Sequence, residues 1–234
     1  MSDIYTMDWR KLRIASFDLE TTGLDVKNDR IVEIGIVIFE EGIPVEKYCK
    51  LINPEDKKIN PKATKVTGIT NEMVKDKKTF AERVKKIRRL LFKDVDMWCA
   101  FNDQFDRSFL MNELKRADYK FKDIPCIDPL VWARYWWPKM KNALDDVVQK
   151  LRIRVDPKVL RTLSINKSRH RADYDSLVTG TALFTNMQHM MPKTLRQTLY
   201  VQDFIYRMWL LNIHQNDKKY MRYLDLAMPP EHEK

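Results

Sequence analysis

Nine consecutive residues, Ile31-Val32-Glu33-Ile34-Gly35-Ile36-Val37-Ile38-Phe39, restrict this chain more than any others. The run is apolar and β-branched and shows no alternation, which is the pattern of a strand buried on both faces. Residues 12–20 read as a strand before it, with Leu12, Ile14 and Phe17 turned inward. Gly23, Asn28 and Asp29 mark the turn of a hairpin between the two. Glu41-Gly42 is a second turn, and Val45–Ile52 reads as a third strand. Residues 53–78 read as loop, with Pro54, Pro61 and Gly68. Thr79 and Glu82 fit a capping box that opens a helix carrying Phe80, Val84, Ile87 and Leu91. A short strand over Asp96–Phe101, a helix over 103–117, a helix from Asn142 and a helix from about Ala172 to Met190 complete the pattern. Strands first, then helices alternating with shorter strands, predict an α/β fold with a mixed sheet flanked by helices. Pro192 punctuates it. Residues 192–234, helical and aromatic before a polar tail, are expected to form a C-terminal helical extension to a domain over 1–191.

The formal net charge of +10 favours a polyanionic partner, because lysines and arginines that neutralise phosphates release counterions. A generic basic protein, charged only for solubility, is the plain alternative. Three widely spaced cysteines, with no Cys-x-x-Cys pair, argue against a disulfide framework or a zinc site. No apolar run approaches the roughly 20 residues of a membrane span, and Met1–Tyr5 lacks the features of a secretory signal. A cytoplasmic protein without a membrane partner is expected. The oligomeric state is not legible.

Asp18 and Glu20 stand two apart on the first strand and so project to the same side. Carboxylates forced together repel unless a cation lies between them, and all-oxygen ligands suit Mg²⁺ or Mn²⁺ rather than zinc. A turn entry with two solvated acids is the alternative. Asp106, alone, reads as an acid complementing a helix N-terminus, with Asp103 in the capping role. His170 and Asp175 are five apart, roughly 140° around a continuous helix. They share a site only if His170 lies in the loop before the helix and Asp175 inside it. Imidazole titrates near neutrality, which suits a general base, although a surface histidine between Arg169 and Arg171 is the simpler reading. Asp173 reads as a surface acid, and His189, His214 and His232 as structural.

Taken in order, three stretches resemble the motifs of the DEDDh family of 3′→5′ exonucleases. They are Asp18-x-Glu20-Thr-Thr-Gly-Leu24, Asn102-x-x-Phe105-Asp106-x-x-Phe109-Leu110 and His170-x-x-x-x-Asp175. Weaker likenesses lie at Ile31–Gly35, Val66–Thr70, Ile127–Leu130 and Asn142–Asp145, so the resemblance covers about residues 10–190. It implies a ribonuclease-H-like fold with a mixed five-stranded sheet. It implies two divalent cations, Mg²⁺ or Mn²⁺: Asp18 bridging both, Glu20 and Asp175 on the one that activates water, Asp106 on the second, and His170 as general base. Leu19, Thr21, Leu24, Thr67, Asn102 and Phe105 are the implied substrate-binding residues, with Leu24 as a wedge against the terminal base. Thr67 replaces a histidine frequent in the family, and Ser176 a frequent alanine. The implied reaction releases nucleoside 5′-monophosphates from the 3′ end of single-stranded or mismatched DNA, as in proofreading, with DNA polymerase or replication proteins as candidate partners. RNA with the same chemistry is the alternative substrate. A non-catalytic nucleic-acid or polymerase-binding module is the alternative class.

Two further stretches suit a nucleic acid. Lys75–Lys93 has nine Lys or Arg against two acids, a solvated helix face or part of an electrostatic funnel. Arg134-Tyr135-Trp136-Trp137-Pro138-Lys139 interleaves rings and cations, for base stacking or core filling.

Overall fold

The computed structural model describes residues 3–185 and 187–210. A five-stranded sheet forms its centre: β1 (Arg13–Thr21), β2 (Ile31–Glu40), β3 (Ile43–Leu51), β4 (Met97–Cys99) and β5 (Cys126–Ile127), in the order β3-β2-β1-β4-β5. The β1–β2 and β2–β3 pairs are antiparallel, while β4 joins β1 and β5 in parallel. The mixed sheet expected from the sequence is therefore present.

The two-residue period of β1 sorts its side chains between two cores. Ile14 packs with Val37 and Phe39 of β2 beneath helix α8 (Ala172–Thr185). Ala15, Phe17 and Leu19 pack on the other side with Ile36 and Ile38. There they meet α3 (Phe80–Arg88) and α4 (Asp103–Arg116) through Ile87, Phe109 and Leu110. The α8 contact is close: a Cβ on Gly35 would lie 2.1 Å from the carbonyl carbon of Ala172. Ser16 Oγ donates to the carbonyl of Ser176 at 2.7 Å, and Ser176 Oγ to that of Gly35 at 3.0 Å. The small residue at 176 is thus a polar clasp between α8 and the sheet.

Residues 53–78, read as loop, contain two short helices, α1 (Pro61–Thr67) and α2 (Asn71–Val74). Asn60 caps α1 with Pro61 in its first turn, and α1 ends at Gly68 with φ +73°. The same device, Asp followed by Pro, opens α5 (Pro129–Trp136) and α7 (Pro157–Thr162), neither of which was foreseen. Proline pre-sets the helical φ and lacks only an N–H that would have no partner, so Asn/Asp-Pro is a helix start and not only a breaker. The capping box at Thr79 is present, and α3 runs on into a π-helical turn over Arg89–Lys93. The helix from Asn142 begins at Leu144 (α6, Leu144–Lys150). The last expected helix ends at Thr185, before a 3₁₀ turn over Met187–Met190.

Helix α9 (Leu195–Leu210) shares the α8-side core, with Leu195 and Ile205 buried. Trp9 Nε1 donates to the Pro192 carbonyl at 2.9 Å. Gln202 Oε1 accepts from the Asp128 N–H at 2.8 Å and from Trp132 Nε1 at 3.1 Å, and Gln202 Nε2 donates to the Cys126 carbonyl at 2.9 Å. Residues 192–210 of the expected extension are thus fastened to β5 and α5. Residues 211–234, with His214 and His232, lie outside the described residues. Among the described residues, no helix is long and apolar enough to cross a membrane.

Candidate active site

The odd/even sorting of β1 decides where the acids go. Asp18 and Glu20 follow Ile14 and Ser16 on the α8 face and emerge at the strand's C-terminal end, opposite Gly35 and Glu33. The register shifts between Glu20 and Thr21, where the hairpin leaves the ladder. Asp106, in the first turn of α4, reaches the same end from the other side. Its Oδ1 accepts the Leu19 N–H at 3.0 Å. Asp175 comes from the first turn of α8. His170 lies just ahead of that helix, exposed, with φ +58°, and its N–H donates to Asp175 Oδ2 at 3.2 Å. This is the loop-then-helix arrangement that their spacing demanded. Glu20, His170 and Asp175 bring ligand atoms within 4.8 Å of one another.

Asp128 positions α4. Its buried carboxylate accepts the N–H groups of Asn102 and Asp103 at 3.0 Å each and of Leu130 at 2.8 Å, so it caps α4 and α5 together. Burial pushes its pKa up to about 6 against these hydrogen bonds. Asp103, expected as the cap, is instead paired with Arg107 at 3.0 Å. Asn102, at φ +68°, makes no side-chain cap. Asp173, expected on the surface, is 9% exposed and pairs with Lys47 of β3 at 3.3 Å, because α8 lies flat on the sheet.

Two cavities meet at Leu19, Glu20 and Phe105. The larger, about 650 Å³, holds Asp18, Asp106, His170, Asp175 and Asn102. The other, about 590 Å³, holds Thr21, Leu24, Val66 and Thr67. All eleven residues singled out from the sequence therefore line one continuous hollow. Leu24 is 83% exposed, and with Val66, 56% exposed, it gives this cavity an apolar edge. Two hydroxyls also serve locally: Thr21 Oγ1 donates to the Gly23 carbonyl at 2.6 Å, and Thr67 Oγ1 to that of Ala63 at 3.1 Å.

The electrostatics are those of a site short of positive charge. Burial raises Asp18 well above the carboxylate range, and the charges of Asp106, Glu20 and Asp175 push it further. Burial, then Asp175 and Glu33, lift Glu20 to about 8. Asp106 is raised by burial against the Leu19 hydrogen bond. Asp175 is raised by burial and held back by Arg169. Arg169, which contacts both Asp175 and Asp145, escaped the sequence reading except as a neighbour of His170. Behind the cluster, fully buried Glu33 accepts from Arg171 at 2.5 and 3.1 Å and from the Ala172 N–H at 3.0 Å, anchoring the start of α8. Converging hard oxygen donors with unmet demand for positive charge fit divalent cations such as Mg²⁺ or Mn²⁺.

A pH dependence follows. Glu20 keeps its proton in the fold to about pH 8 but would release it near its ordinary 4.5 when unfolded. Its contribution to stability is whole below 4.5 and is lost as pH rises through 8. In EDTA the melting temperature should therefore decline across this window, and the gain on adding Mg²⁺ should be larger at pH 8 than at pH 5. Thermal melts at both pH values check this; an equal gain at both would refute it.

A mixed sheet in this order, whose central strand delivers two acids to a cluster completed by two helices, defines a ribonuclease-H-like nuclease domain. The chain belongs to the exonuclease family designated RNase T, whose model matches residues 16–183. It is 29% identical over 205 residues to the PolC-type DNA polymerase III of Oceanobacillus iheyensis, covering 87% of this chain and 13% of that protein. It is 32% identical over 172 residues to the 3′-5′ exonuclease DinG of Bacillus subtilis, covering 73% and 17%. The chain thus spans less than a fifth of either relative. Among solved structures it is similar to exonuclease X in complex with 5′ overhanging duplex DNA, with a TM-score of 0.62 and 24% identity over 81% of this chain and 99% of that one.

Proposed function

We propose that this chain is a divalent-cation-dependent 3′→5′ exonuclease that removes nucleoside 5′-monophosphates from single-stranded or mismatched DNA ends. The observation that carries the reading is the convergence of Asp18, Glu20, Asp106, Asp175 and His170 on one cavity beside a second that Leu24 overhangs. The four carboxylates would hold two cations, Mg²⁺ or Mn²⁺. When bound, these supply positive charge to the attacking and leaving oxygens of the displacement. The protein's own part is positional. The α8 clasp holds Asp175 against the sheet, and Asp106 is fixed by the Leu19 N–H. His170, on an exposed loop, takes the proton of the attacking water. Leu24, Thr67 and Phe105 grip the terminal nucleotide, and the basic surface attracts the strand. Proofreading beside a DNA polymerase in the cytoplasm is the setting supported by the similarity to PolC-type polymerases.

The test is a time course on 5′-labelled DNA and RNA of one sequence, with Mg²⁺ and with EDTA. A ladder shortening from the 3′ end, lost in EDTA, is expected, with DNA degraded faster. Binding without cleavage in Mg²⁺ would favour a non-catalytic module, and faster loss of RNA would change the substrate. His170→Ala should lower kcat about 10²–10⁴-fold, the usual worth of a general base, with oligonucleotide affinity nearly unchanged. A collapse of affinity instead would make His170 a binding residue.

A further inference from the structure

The larger cavity extends past the carboxylates to a wall that the reaction above does not use. Arg134 of α5 and Trp209 of α9 form it, with Pro138 and Met140 beyond. The Arg134 guanidinium lies 3.8 Å from the centre of the Trp209 ring. That stack fixes a cation which, among the described residues, has no carboxylate within ion-pair distance. Trp209 is 47% exposed and Met140 57%, so the wall is an open apolar and cationic surface in the hollow that holds the carboxylates. Trp209 also lies outside residues 16–183, the part that matches the family.

The order of the cavities gives this wall its meaning. The pocket overhung by Leu24 lies on one side of Glu20, and the Arg134–Trp209 wall belongs to the cavity on the other. A single strand whose scissile phosphate sits at the carboxylates, with its terminal nucleoside beside Leu24, can run its next nucleotide along this wall. Indole faces accept any base by stacking, and a guanidinium held flat still presents its N–H edge to phosphate.

We propose that Arg134 and Trp209 form a subsite for the penultimate nucleotide of a single strand, Trp209 stacking its base and Arg134 taking its phosphate. This rests on the exonuclease reading above. It gives the C-terminal helix, which Gln202 fastens to α5, a part in substrate binding.

The test uses the full chain and two 5′-labelled oligothymidylates of equal length, one with an abasic residue at the penultimate position. For the wild type, removing that base should raise KM on the order of tenfold. For Trp209→Ala, KM should be high with both strands, and the abasic penalty should vanish. Arg134→Lys, which keeps the charge but loses the planar stack, should weaken both strands and shrink the penalty. Trp209→Phe keeps a smaller ring and should retain part of it, which guards against a folding defect in the alanine variant. An undiminished penalty in Trp209→Ala would overturn the subsite while leaving the exonuclease intact. A wild type that cleaves neither strand would instead sink the exonuclease reading. Fluorescence anisotropy of the same strands in EDTA would then still decide whether Trp209 reads the penultimate base.

Discussion

Asp18→Asn protein should leave a 5′-labelled strand uncut where the wild type degrades it, and in EDTA it should melt at a higher temperature than the wild type. The two effects have one origin. Asp18 stands half-buried between buried Phe17 and Leu19 of the central strand, desolvated and repelled by three other acids. An amide of the same shape removes the repulsion and with it an anionic oxygen that would help hold the cations. Metal-ion stabilisation of the transition state is worth several kcal/mol, and each ~1.4 kcal/mol is tenfold in rate, so a loss on the order of 10³-fold or more is expected. Adding Mg²⁺ should reverse the order of the melting temperatures, because only the wild type keeps its full ligand set. Cleavage at the wild-type rate would refute the assignment of Asp18. Lost cleavage with a lower melting temperature in EDTA would mean that the residue is structural.

The second large effect is expected from Gly35→Ala, a change far from any reacting atom. The added methyl would lie 2.1, 2.2 and 2.4 Å from backbone atoms of Ala172 and Asp173. Backbone cannot rotate aside as a side chain can, so the start of α8 must lift from the sheet. Overpacking of this kind costs roughly 1–3 kcal/mol. The lifted turn carries Asp175 and follows directly on His170. Misplacing such groups by about 1 Å costs on the order of 10²-fold in rate. Thermal melts and kcat together check this. A variant that melts and turns over like the wild type would show that α8 is not seated so tightly.

What the sequence disclosed was what local pattern encodes. The β2 run, the hairpin and the Thr79 capping box depend on neighbours in the chain, and each is present. The carboxylates and His170 were legible because their types and spacings recur in a family. Helices α1, α5 and α7 open on Asn/Asp-Pro pairs, a local signal that the sequence reading passes over. Other features had no local signal at all. Asp173 is buried where α8 lies on the sheet, and its partner Lys47, 126 residues away, reaches it from β3. Asp128 caps a helix that begins 25 residues earlier. Arg169 meets Asp145 across 24 residues of chain. Gln202 finds Asp128 and Cys126 only after α5 has been laid down. Such contacts are products of topology, and no window along the chain contains both partners.

The separation of the acids along the chain has a consequence for how the protein is made. Asp18 and Glu20 leave the ribosome more than 150 residues before Asp175, which reaches them only after α8 has docked on Gly35. A nascent chain can therefore complete the β1–β2–β3 meander, and even seat Asp106, without assembling the cluster. Asp175 is the last acid of the cluster to be made, so the set cannot close before α8 is seated on the sheet, whatever the earlier strands have already done.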